Sequence, residues 1–209
     1  MSDVALAPGR SNLQRFLSGY GQEIVVLLSI VALFVVVGSV NHRFLSDTNI
    51  NSIFAGNAYI AIAAIGMSMI IIAGHIDVSV GALIGVIATI AGTMAVGGYP
   101  VWMAWLVPIL FAIVVNAGVG ALVAYTRIPS IVVTLGMLSI LKGGLISATG
   151  GEWISNMPPE FMIAQWRPFG IPSAVWFMVV LTIIAALFMR YTDFGRAIYA
   201  VGGNMEAAR

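Results

Sequence analysis

The sequence predicts an all-α protein, a polytopic transmembrane helix bundle of about six spans, and three observations carry that expectation. Hydrophobic residues make up 60% of the 209 residues and charged residues only 8%, with a mean hydropathy of +1.03. A soluble domain carries roughly 25% charged residues. This chain therefore lacks the polar side chains to coat a globule in water, and its apolar excess must face lipid as well as a core. The apolar residues also gather into runs of about 20, the length that crosses a bilayer as a helix. Nine Lys and Arg against eight Asp and Glu leave a net charge of +1, which supplies no basic field for nucleic acid. The expected surroundings are a lipid bilayer, with no nucleic acid as partner. Cys is absent, which removes disulfides, thiolate metal sites and Cys nucleophiles.

The first apolar run, 24–40, follows a polar stretch with Arg10, Arg15 and Glu23. It reads as a first span or as a signal peptide. The 23 residues ahead of it and the lack of an A-x-A site after it favour the span. The next runs, 53–73 and 78–96, are separated only by Gly74, His75, Ile76 and Asp77. Four residues can turn the chain at the membrane surface, or they can be a break between two half-helices at membrane depth, where irregular backbone is tolerated only inside protein. The run 102–125 follows Gly97, Gly98, Tyr99 and Pro100, a turn-forming cluster with an interfacial aromatic. Arg127, Ile128 and Pro129 lead into 131–149, and 171–189 is the last run. Between these two, 150–170 carries Trp153, Trp166, Pro158, Pro159 and Pro168, a composition that suits a loop lying along the headgroups.

The organisation expected is a cytoplasmic N-terminal tail 1–23, a membrane domain 24–189 and a polar cytoplasmic segment 190–209. Basic residues are retained on the cytoplasmic side. With the N-terminus inside and six crossings, Arg10, Arg15, Arg127, Arg190, Arg196 and Arg209 are cytoplasmic, while Arg43 and Arg167 are outside. Spans associate through small residues that let backbones approach. Gly81 with Gly85, and Ala88 with Gly92, lie four apart on a shared face, which marks the third span as the central, protein-buried helix.

Ionisable groups inside apolar stretches cost roughly 2.5 to 3.5 kcal/mol on insertion scales, so each requires a reason. Three qualify: His75, Asp77 and Lys142. Asp77 stands two residues ahead of Ser79 and just before a helical run, where its carboxylate can accept from the orphan N–H groups of the first turn. That capping role is the plainer reading; direct contact with a transported solute is the sharper one, and it makes His75, Asp77, Ser79 and Lys142 the candidates for a substrate path. His75 is a polar turn residue or a proton-sensitive group. Lys142, beside Gly143 and Gly144, can snorkel along its stem or pair with a carboxylate such as Asp77. No H-E-x-x-H, G-x-S-x-G or phosphate-binding loop occurs, and two His without Cys make a poor metal site. A membrane enzyme is therefore the weaker hypothesis, and no metal or cofactor is expected. An ion-coupled secondary transporter, in which Asp77 and Lys142 exchange protons or pair with the coupling ion, is the contending class.

Three segments resemble a known family, the membrane permeases of bacterial ABC importers for ribose, xylose and related sugars, including the autoinducer-2 and rhamnose systems. They are Gly66-Met67 followed by AGHIDVSVGAL from Ala73, RIPSIVVTLGMLSILKG from Arg127, and FGRAIYAVGGNMEAAR from Phe194. Their order is the family's, and with the spans between them they cover the chain after its N-terminal tail. His75 stands where these permeases usually have Gly, and Met205 where they usually have Pro. The resemblance implies a translocation-path subunit in the bacterial inner membrane that carries a small polar, sugar-like substrate. It implies three protein partners, a separate cytoplasmic ABC ATPase that hydrolyses the ATP, a periplasmic sugar-binding protein, and a second permease copy or paralogue, with the permeases in a lipid bilayer. It also implies that the last segment engages the ATPase, through Gly202, Gly203, Asn204, Glu206 and Ala207. Here Gly202 and Gly203 permit a sharp turn, Asn204 can cap a following helix, and Glu206 suits that helix's N-terminus. Family members continue with further membrane helices, so the chain reads as the N-terminal part of a permease, and a truncated, non-functional permease is the remaining alternative.

The arginine distribution predicts that Ser155→Cys, in the outer loop, reacts with a membrane-impermeant thiol reagent added outside intact cells. Ser130→Cys should not. The chain has no native Cys, so each probe reports alone; the reverse pattern overturns the topology.

Overall fold

A computed structural model describes residues 12–126, 128–161 and 166–204. Seven α-helices and no strand occur among them: α1 Asn12–Val40, α2 Asp47–Ile72, α3 Val80–Val96, α4 Val101–Tyr125, α5 Ser130–Thr149, α6 Ser173–Tyr191 and α7 Asp193–Gly203. Five helical segments are long and apolar enough to cross a membrane, and α3 is a shorter sixth. The polytopic helical bundle read from composition is therefore the fold. The chain divides into two compact units, 1–53 and 54–209.

In the first unit α1 leaves helical geometry at Tyr20 (φ −125°, ψ 16°), ahead of the apolar run. A 3-10 turn over His42–Leu45 follows, with the Asn41 side chain accepting from the Arg43 N–H. Phe44 meets Phe34 edge-on, with centroids 5.2 Å apart.

In the second unit α3 packs on both α4 and α5, and α4 packs on α5. Only Gly81, Ala88, Thr93 and Val96 of α3 are exposed, which makes it the inner helix expected from its small residues. The faces differ in detail. A Cβ at Gly85 would touch Leu145 of α5 at 3.4 Å, and one at Gly92 would lie 2.9 Å from the Met157 methyl, whereas the partners assigned to them by four-residue spacing, Gly81 and Ala88, face outward. Gly85 and Gly92 are seven apart, two helical turns, and form the working face.

Both ends of the α2–α3–α4 series are set by glycine. Gly74 (φ +81°) closes α2: its N–H donates to Ile71 O (2.9 Å) and that of His75 to Ile70 O (3.0 Å), the Schellman pattern that occupies the orphan carbonyls of a helix end. Gly98 (φ +75°) repeats it for α3, with the N–H of Gly98 on Ala95 O and that of Tyr99 on Met94 O. At that same end of the bundle Trp105 stacks on Phe161 at 4.9 Å, and Ile154 and Met157 cover Gly92. The segment 150–161 is thus folded onto α3 and α4. Between α2 and α6 an apolar cleft of about 310 Å³ opens, lined by Ile65, Met69, Leu181 and Ile184 among others.

The segment after α6 differs from the sequence expectation. Instead of a polar tail that turns at Gly202–Gly203, residues 193–203 form α7, with those glycines as its last residues and Asn204 as its C-cap, the Asn204 N–H donating to Ala200 O at 3.0 Å. Thr192 supplies the N-cap: its hydroxyl accepts from the Gly195 N–H at 3.0 Å. Gly195 is needed for the elbow because a Cβ there would collide with the Met189 carbonyl oxygen and lie 2.6 Å from Phe188 O. Asp193 and Arg196 form an exposed ion pair, a contact worth little in water.

Removing the Thr192 cap with Thr192→Ala should cost about 1 kcal/mol and lower the thermal midpoint in detergent modestly. Gly195→Ala should lower it further, because backbone rather than a yielding side chain occupies the space. An unchanged midpoint for Gly195→Ala would refute the elbow.

Candidate functional site

The non-helical link 73–79 between α2 and α3 lies against the start of α5. It begins at the Schellman turn just described and ends at Ser79, where Leu83 N–H donates to Ser79 O at 2.9 Å and α3 starts. Between them the backbone has no helical partner. Two hydroxyls four residues apart on α5, and so on one face, take that place. The Ile76 N–H donates to Ser130 Oγ at 3.2 Å and the Val78 N–H to Thr134 Oγ1 at 3.2 Å. The Thr134 hydroxyl in turn faces the carbonyls of Ile76 (3.4 Å) and Ile131 (3.3 Å). Thr134 is 2% exposed and Ser79 1%, so the bonds at Thr134 are largely shielded from water, while the Ile76–Ser130 bond is exposed.

Asp77 sits within this link, half-buried. One carboxylate oxygen accepts from the Ser79 N–H at 2.7 Å and from the Ser79 hydroxyl at 2.6 Å. The carboxylate thus closes an Asx turn onto the residue that caps α3, one step earlier than the first-turn N–H groups the sequence suggested. Its negative charge still lies at the positive end of the α3 dipole.

The 17 residues of α3 rise about 26 Å, a little less than the ~30 Å hydrocarbon core. The link is a turn whose N–H groups at Ile76 and Val78 are bonded to side chains within the protein.

The other candidates fall elsewhere. His75 is half-buried and serves the α2 end through its backbone. Lys142 is exposed on α5, beside Gly143 and Gly144, around which nothing lies within 4 Å of a built Cβ. Among the described residues Lys142 makes no ion pair, and it stands eight residues, about 12 Å along the helix, beyond Thr134. The Asp77–Lys142 pair is therefore not formed. Gly202 approaches the end of α2: a Cβ there would coincide with the Ile72 carbonyl oxygen and lie 2.9 Å from its carbon and 3.4 Å from Ala73 Cα, while Gly203 is open. Glu206 and Ala207 lie outside the described residues, as does Arg127. Ser130 and Thr134 were missed as site residues; two hydroxyls spaced i, i+4 immediately after Pro129 were the signal available.

No metal-binding cluster occurs among the described residues, and no buried side-chain polar atom there lacks a hydrogen bond. The site holds backbone in place.

Thr134→Val keeps the shape but strands a buried N–H and C=O, at about 1–3 kcal/mol for each group left unsatisfied. We expect a marked loss of thermal stability in detergent, and near-complete retention with Thr134→Ser. Equal stability of the two variants would show that the hydroxyl is not required.

A family model described as branched-chain amino acid transport system / permease component matches residues 49–209. The autoinducer 2 import system permease protein LsrC of Salmonella typhi is 36% identical over 189 residues, covering 90% of this chain and 54% of that protein. LsrC of Escherichia coli O9:H4 (strain HS) is 32% identical over 90% of this chain and 55% of its own length, and LsrC of Shigella flexneri 33% over the same shares. This chain spans about half the length of the curated relatives it matches. No solved structure matches it. The resemblance drawn from the three sequence segments is borne out: the chain is a multi-pass membrane protein and belongs to the family of branched-chain amino acid transport system permease components.

Proposed function

We propose that this chain forms part of the translocation path of an ATP-driven importer for a small polar, sugar-like solute, in the inner membrane of a bacterium. The single observation that carries the reading is its 36% identity over 189 residues to an autoinducer 2 import permease. In the complete system a separate cytoplasmic ATPase supplies the energy, a periplasmic binding protein delivers the solute, and a second permease copy or paralogue completes the path. The N-terminus and the end of the bundle that holds 73–79, Ser130 and Gly202 face the cytoplasm.

Lys142 supports a polar path beside α5. It lies within two turns of the α5 midpoint, where a Lys facing lipid costs roughly 2.5–3.5 kcal/mol. Ser139, one turn earlier, is exposed on the same side, together with the apolar Leu135 and Ile146, so the polar character of that side rests on Lys142 and Ser139. The ion-coupled alternative needs Asp77 and Lys142 to act together, and their separation along α5 counts against it.

Uptake of radiolabelled sugar or autoinducer-2 into proteoliposomes should require ATP, the ATPase and the binding protein, and should survive collapse of the proton gradient. Uptake driven by the gradient alone would overturn the reading. In that assay Asp77→Ala removes the acceptor of the turn ahead of α3, about 1 kcal/mol, and should lower abundance or uptake more than Asp77→Asn, which retains an acceptor. Equal loss in both with normal membrane abundance would assign the negative charge itself to solute or ion.

A further inference from the structure

We propose that the turn ahead of α6 is a lipid anchor, in which Phe169 inserts at the acyl boundary of the bilayer and Arg167 holds the headgroup of an anionic phospholipid. The inference rests on the membrane-spanning fold and goes beyond the transporter reading. It starts from a residue whose posture no contact within the chain repays. Phe169, inside the 3-10 turn Pro168–Gly170, has φ +57° and ψ 28°, the left-handed region in which a bulky L residue is strained. Gly170 follows at φ +77°. The Phe169 ring is also 94% exposed. In water a phenyl group that strains its backbone and stays outside the protein gains nothing from burial. In a bilayer the acyl chains remove the same ring from water.

The neighbouring residues fix that posture and supply a charge. The Gly170 N–H donates to Arg167 O and the Ile171 N–H to Pro168 O, both at 3.2 Å, and the Ser173 N–H donates to Trp166 O at 2.9 Å. The turn is thereby tied to the first residue of α6. Trp176 lies tilted against the Phe169 ring, with centroids 6.2 Å apart, and its Nε1–H points to Pro168 O at 3.4 Å. Trp166 and Arg167 are exposed beside them, and among the described residues Arg167 makes no ion pair. Aromatic rings with a cation at their rim match the bilayer boundary, where aromatic side chains sit at headgroup level and arginine pairs with phosphate. The 19 residues of α6 rise about 28 Å, close to the ~30 Å hydrocarbon core, so the turn at its start falls at that boundary. At the other end of α6, Arg190 lies over the Tyr191 ring at 5.4 Å, a second cation with an aromatic. Between its ends α6 leaves an apolar cleft towards α2. Where packing on neighbouring helices is slight, interfacial anchors of this kind set the depth and tilt of a span.

The test places the full chain in phosphatidylcholine nanodiscs, with an NBD fluorophore on Phe169→Cys as the single Cys. Nitroxide carried on the lipid headgroup should quench it more than aqueous iodide does, and the same fluorophore on Ser155→Cys should show the reverse. At equal trace amounts, nitroxide-labelled phosphatidylglycerol should quench at residue 169 about fivefold more effectively than labelled phosphatidylcholine, the worth of one arginine at an anionic surface. Arg167→Gln should abolish that preference. Phe169→Asn accepts the left-handed backbone more readily but lacks the ring, and it should lower the thermal midpoint in nanodiscs by a few degrees. An equal or higher midpoint would mean that the ring is idle and would overturn the proposal. So would iodide quenching at residue 169 as strong as at 155, or a phosphatidylglycerol preference that survives Arg167→Gln. Protection of residue 169 from iodide only when the binding protein is added would assign the surface to that protein instead. If Phe169→Asn fails to accumulate, the quenching measurements alone decide.

Discussion

A backbone N–H that leaves a helix inside hydrocarbon must find an acceptor within the protein, because lipid offers none and each orphan costs several kcal/mol. In this chain the link 73–79 leaves helical geometry between two spans, and Ser130 and Thr134 supply acceptors to Ile76 and Val78 from within the protein. Much else follows from that arrangement. α5 must start where its first turn can reach Ile76 and Val78; α3 must lie between α4 and α5; and Asp77 must turn its carboxylate onto Ser79 rather than outward to solute.

The same constraint accounts for the placing of glycine. Schellman turns at Gly74 and Gly98 end α2 and α3 without leaving their last carbonyls stranded, and only a residue that enters the left-handed region at no steric cost serves there. Gly195 and Gly202 do something different, since neither needs an unusual φ. They remove a side chain where two main chains meet. Small residues are the means of association between membrane helices because dispersion between close backbones replaces the missing hydrophobic drive. Here that device joins α7 to α6 and α2, outside the run of spanning helices.

Length and hydropathy made most of the fold legible. Of the spans from 53 onward, four fall within two residues of their helices at each end and the first starts six residues late, because α2 begins at Asp47 in a polar stretch; a run of about 20 apolar residues has few alternatives in a bilayer. What escaped was amphipathic or tertiary. α7 has Asp193, Arg196 and three glycines in eleven residues, so hydropathy scored it as a polar tail, while its cap at Thr192 and its contact with Ile72 make it a helix. The four-residue spacing of Gly81 with Gly85 was real but chose the wrong partner face, because a face shared on one helix does not say which neighbour it meets. Asp77 was found as a turn residue from local spacing alone. Ser130 and Thr134 were not, because a hydroxyl in an apolar run reads as filler until the chain it bonds, more than fifty residues earlier in sequence, is known to be unpaired.

Lys142 shows how local satisfaction and function separate. The link is largely closed on itself: one oxygen of its carboxylate is occupied by Ser79, the N–H groups of Ile76 and Val78 are bonded to α5, and the Ser79 and Thr134 side chains are buried. A group so fully engaged can keep a backbone in one arrangement, but has little capacity left to bind a passing solute. Lys142 is the reverse, an exposed cation two turns beyond Thr134 with small residues around it. At about 100° per residue Lys142 stands roughly 80° around α5 from Thr134, so the hydroxyls that hold the link and the cation use different sides of the helix. The first turn of α5 is committed to the backbone it holds, while Lys142, without an ion pair among the described residues, keeps its charge free to reach polar surroundings along its stem.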